Sequence, residues 1–61
     1  MKLVYQDWEL EITKKWPTDK IRNYIWLAVE CHQPIPACVS VDALRAELII
    51  RGLEPIGYHN S

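Results

Sequence analysis

Four soft ligands sit in the second half of this 61-residue chain: Cys31, His32, Cys38 and His59. Structural zinc sites usually open with a ligand pair two to four residues apart. Here an adjacent Cys-His is followed by six residues and one further Cys, which is not that spacing. We therefore expect no metal, and read Cys31 and Cys38 as small buried hydrophobes near a helix junction. A bridge between them would require an oxidising compartment. Nor is Cys31-His32 a catalytic pair. Adjacent residues point to different parts of a helix surface, and a nucleophile needs a base within hydrogen-bond reach that is itself oriented by a third group.

Two further sets could carry chemistry. Glu9 and Glu11 would lie about 7 Å apart on one face of a strand. In a domain of this size they read as an acidic, partner-facing stripe rather than an acid–base pair in a cleft. Lys14, Lys15, Lys20 and Arg22 cluster around Trp16-Pro17. That is the one basic patch, where phosphates could bind and Trp16 could stack on a base. The only glycines are Gly52 and Gly57, so neither a phosphate-binding loop nor a nucleophile elbow exists. No catalytic residue and no cofactor are expected, and the chain is read as a non-enzyme.

Composition narrows the rest. A single domain, 1–61, is expected, and a chain so short buries only about 60% of its unfolded surface. Hydrophobic residues make up 49%, with three Trp and three Tyr. Such a surplus favours association, because small scaffolds otherwise need disulfides or a metal. The net charge of −1 and pI near 6.0 argue mildly against binding led by phosphate contacts. No apolar run is long enough to cross a membrane, and the N-terminus is too polar for a signal peptide. A cytoplasmic protein with reduced thiols is expected.

The elements that would position these residues are unequally marked. Val39 to Pro55 reads as one complete helix, about residues 40–51. Ser40 is the N-cap, Val39 and Leu44 form a hydrophobic staple, and Asp42 suits the positive end of the dipole. Gly52 ends it in the left-handed conformation, with Leu53 folding back on Leu48. Val41, Leu44 and Leu48 form one stripe of this helix. Ala43, Ala46 and Ile50 form a second, nearly opposite stripe, which lets another backbone come close. A preceding helix spans about 18–33, capped by Thr18. Its Ile21, Tyr24, Ile25, Ala28 and Cys31 share one face, while Trp26 and Val29 fall on the other. Gln33-Pro34-Ile35-Pro36 is a stiff connector.

The N-terminus carries two patterns. Trp8, Leu10 and Ile12 alternate with Glu9, Glu11 and Thr13, which favours a half-buried strand. Alternatively Asp7 caps a helix with Val4, Trp8, Ile12 and Trp16 near one face. The alternation is cleaner, and strand is the expectation. The tail from Glu54 would be extended, with Ile56 and Tyr58 against that strand.

The order strand, Trp-Pro, helix, turn, helix in residues 8–52 resembles that of the ribbon-helix-helix repressors. In those dimers paired strands enter the DNA major groove. The resemblance implies a dimeric DNA-binding regulator. The chain departs from the pattern in carrying Glu9 and Glu11 where residues would face DNA, and in its long, proline-bearing connector Gln33–Val39.

Together these readings predict an α+β domain, with one or two short N-terminal strands, two helices and an extended tail, forming a homodimer through Val29, Ala43, Ala46 and Ile50. The expected function is a small non-catalytic regulatory protein that binds, and could inhibit, a protein partner through Glu9, Glu11, Trp16 and Trp26. The alternative is a DNA-binding regulator using Lys14, Lys15, Lys20 and Arg22.

Overall fold

The computed structural model describes residues 2–35 and 38–57. Among them the chain forms three helices and no strand: α1 (Asp7–Thr13), α2 (Thr18–Val29) and α3 (Val41–Ile50). The expected α+β class is therefore corrected to a small helical fold. α3 packs against both other helices and is the centre of the arrangement.

The N-terminal strand is replaced by α1. Gln6 holds extended backbone at the N-cap, and its N–H donates to Glu9 Oε2 at 2.7 Å. That local tie favours a helix start. The period-two alternation pointed the wrong way because the polar residues go inside. Glu9 and Thr13, one turn apart, are buried, whereas Trp8 and Ile12 are exposed. Local groups satisfy part of this burial, since the Gln6 N–H donates to Glu9 and the Thr13 hydroxyl donates to the Leu10 carbonyl, and the Ser40 N–H before α3 supplies the second partner of Glu9.

α2 begins after Pro17, whose extended backbone makes it the N-cap. Thr18 is thus the first helical residue rather than the cap, and its hydroxyl accepts a hydrogen bond from Arg51 instead. The helix ends at Val29, short of the expected 33. His32 then takes a positive φ of 54°, and the Gln33 N–H reaches back to the Leu27 carbonyl at 3.0 Å.

α3 follows its sequence signals closely. The Ser40 side chain accepts from the Ala43 N–H at 3.2 Å. At the far end Gly52 has φ +78°. Its N–H donates to Ile49 O and that of Leu53 to Leu48 O, both at 2.9 Å, the two bonds of a Schellman motif.

The apolar core is built from Ile21 and Ile25 of α2, Leu44 and Leu48 of α3, and Val39 before it. Trp16, Tyr24, Ile35, Val41 and Leu53 pack around them. None of these residues belongs to α1. The second stripe of α3 is also largely covered inside the chain: Ala43 and Ala46 are buried on the side away from that core, where α1 is the other helix packed on α3. Ile50 stays 65% exposed.

The tail from Leu53 to Gly57 returns along α2 without forming a strand. A Cβ on Gly57 would meet Ile25 Cβ at 2.5 Å, Arg22 O at 2.6 Å and Trp26 N at 2.6 Å. Only glycine allows the tail this close to the α2 backbone. Ile56 thus lies beside α2 rather than on an N-terminal strand, and Tyr58 lies outside the described residues.

Candidate functional site

Beside the core face of α2, and sharing Ile25 with it, lie Trp26 and Val29. The Gly57 contact brings the tail onto that side, and Arg45 of α3 closes the third wall. The result is a partly open cleft of about 120 Å³, lined by Ile25, Trp26, Val29, Glu30, Arg45, Pro55, Ile56 and Gly57. Val29 is 42% exposed and Ile56 54%. The lining is of mixed polarity, and the cleft is large enough for one side chain rather than for a whole small-molecule ligand. Glu30 and Arg45 are its charged residues. Arg45 is engaged within the fold.

The structure joins two residues that the sequence reading had assigned separately. Trp26, expected to meet a partner, and Val29, expected in a dimer interface, line this one cleft. The other expected site residues are placed elsewhere. Glu9 is buried, not part of an exposed stripe: its Oε1 accepts from the Ser40 N–H and its Oε2 from the Gln6 N–H, both at 2.7 Å. Burial alone would raise its pKa. The hydrogen bonds from Gln6 and Ser40 together outweigh that and the nearby Asp42 charge, so the net shift is downward. Glu11 is exposed and its carboxylate pairs with Lys14 at 2.6 Å. That hydrogen bond, with the Lys14 charge, lowers its pKa.

Trp16 is half-buried and edge-on to Tyr24, with centroids 5.4 Å apart and an interplanar angle of 81°. Lys20 Nζ sits 4.3 Å from the Trp16 ring centre. This stacking occupies the ring and one of the four basic residues considered for nucleic acid. Lys14 is occupied by Glu11, Arg22 is half-buried and engaged within the fold, and Lys15 is exposed. Three of the four basic residues, Lys14, Lys15 and Lys20, are thus exposed, and two of those already have a partner within the chain. Cys31 is half-buried and Cys38 exposed, both as free thiols, so Cys38 is not the buried hydrophobe expected. Among the described residues no three His, Cys, Asp or Glu side chains gather as a metal site. His59 lies outside the described residues.

Sequence reasoning missed a second polar constellation. Arg51, at the end of α3, pairs through Nε with the buried Glu47 at 2.8 Å. Its Nη1 donates to Thr18 Oγ1 at 3.0 Å, and its Nη2 reaches the carbonyls of Trp16 at 2.7 Å, Thr13 at 3.1 Å and Lys14 at 3.4 Å. A planar guanidinium can fan its donors over a helix end in this way, and an ammonium cannot. The i, i+4 spacing of Glu47 and Arg51 was a visible signal, but their burial was not. No helix among the described residues is long and apolar enough to cross a membrane.

Comparison with protein-family models, with curated proteins and with solved structures finds no match in any of the three.

Proposed function

We propose that the protein is a non-catalytic interaction module, which binds a protein partner by taking an apolar side chain into the cleft between α2, α3 and the tail. The observation that supports this most is the exposure of Val29 and Ile56, two large apolar side chains, at a concave site whose lining is otherwise of mixed polarity. Trp26 in its wall is of a residue type enriched at interface hot spots. A ribbon-type DNA-binding mode is not carried forward. It needs paired strands, and the described residues contain none.

The test is site-specific photo-crosslinking in the source cells, from a reactive residue at Ile56 and, as a control, at Lys15. A discrete protein adduct from position 56 alone, abolished by Val29→Asp, is expected. No adduct from position 56 would refute the reading. Binding of random duplex that weakens steeply with salt, relieved by Lys14→Ala with Lys15→Ala, would favour nucleic acid instead. Sedimentation equilibrium separates a second copy of the chain from a different partner.

A further inference from the structure

We propose that α1, with the arm before it, is a separately releasable flap held on α3 by polar ties, and that acid undocks it while the α2–α3 core stays folded. This goes beyond the binding reading and does not depend on it.

Three ties fasten the element. At its start Glu9 accepts from the Ser40 N–H, the cap residue of α3. In the arm before it the Val4 N–H donates to Asp42 Oδ2 at 3.0 Å. At its end Arg51 reaches the Thr13 and Lys14 carbonyls. The residues that α1 buries are Glu9 and Thr13. Its apolar share comes from Leu3 and Leu10, each half-buried, while Trp8 is 51% and Val4 69% exposed. A helix of seven residues does not persist alone in water, so α1 exists only while docked. The core residues, by contrast, all lie in α2, α3 and the connections around them.

Acid acts on the first tie. Glu9 uses one oxygen for Ser40 and the other for Gln6, so protonating the carboxyl removes one acceptor from a site that needs two. The charged group facing it from α3 is Asp42, which favours protonation, and its sequence neighbour on α1 is Asp7. The Glu47–Arg51 pair lies at the opposite end of α1. Undocking uncovers the Ala43 and Ala46 side of α3.

Amide hydrogen exchange on the full chain between pH 7 and pH 3.5, corrected for intrinsic rates, tests this. Protection of the amides in 9–16 should decrease by a larger factor than that of 21–29 and 44–50, as expected for a sub-global opening. Glu9→Gln, which keeps one acceptor oxygen, should produce the same selective loss at pH 7. Uniform loss across all three helices, or unchanged protection of α1 in acid, would overturn the proposal. If Glu9→Gln does not fold, the wild-type titration decides alone.

Discussion

The two sides of α3 are held by different physics. Toward α2 the contact is apolar: Leu44 and Leu48 meet Ile21 and Ile25, all at most 2% exposed. Toward α1 the apolar share is small, Ala43 and Ala46 with the half-buried Leu3 and Leu10, and the directional ties come from Glu9, Asp42 and Arg51 to backbone groups. Apolar packing is insensitive to direction, charge and pH and scales with area. Polar ties are directional, depend on protonation, and leave a costly orphan when one partner is removed. One short helix thus carries a seam that is hard to open and a seam that can be switched.

Substitutions on each side should separate the two. The largest effect is expected from Arg51→Ala. It strands the buried Glu47 carboxylate and removes the donors over the α1–α2 turn, and breaking such a pair costs about 3–5 kcal/mol. Urea unfolding measures it, and a chain of this size has little more stability than that to lose. Arg51→Lys should restore only part, because one ammonium cannot reach the same spread of acceptors. Leu48→Ala on the apolar seam should cost about 3 kcal/mol through lost burial and the cavity left behind. It should lower hydrogen-exchange protection of all three helices together, whereas a polar-seam variant should act on α1 first.

Glu9→Gln comes next, at about 1–2 kcal/mol for one charge-assisted bond weakened and one lost. Its signature is pH. The folded-state pKa of Glu9 lies below the ordinary carboxylate value, so its contribution is present above that value and disappears as pH falls through the folded pKa. Stability of the wild type minus that of Glu9→Gln should therefore be constant near neutrality and shrink below about pH 4.5, the ordinary range for such a group. A difference that persists in acid would mean that the side chain acts by shape alone. The smallest effect is a gain. His32 occupies the left-handed region, and His32→Gly should stabilise the chain by about 0.5–1 kcal/mol by relieving that strain. Thermal unfolding detects it, and it should leave both seams intact.

The seams also differ in how legible they were. Every signal for α3 is local: Ser40, the Val39–Leu44 pair, and Gly52 with Leu53 lie within a few residues of the helix end they specify. The Leu44 and Leu48 stripe declares its burial by being apolar. α1 carries the opposite pattern. Its inward face is Glu9 and Thr13, and beside the local Gln6 N–H and Leu10 carbonyl it is secured by an N–H at Ser40 and a guanidinium at Arg51 on the Thr13 carbonyl, tens of residues away along the chain. A period-two reading assigned the apolar residues to the interior because the local spacing does not reveal those distant donors. The cleft stands between these cases. Trp26 and Val29 were legible as lying off the core stripe of α2, but the tail that forms the opposite wall is placed by Gly57, whose contact leaves no mark in hydrophobic spacing.

That contact limits what variation the protein can absorb. Two of the three atoms a side chain at position 57 would strike are backbone of α2, so no smaller residue at Ile25 can make room for it. In a library randomised across 55–57 and sorted for folded molecules, Pro55 and Ile56 should drift while position 57 returns as glycine. The rim can therefore be retuned for new partners, but the hinge point that sets the width of its mouth cannot.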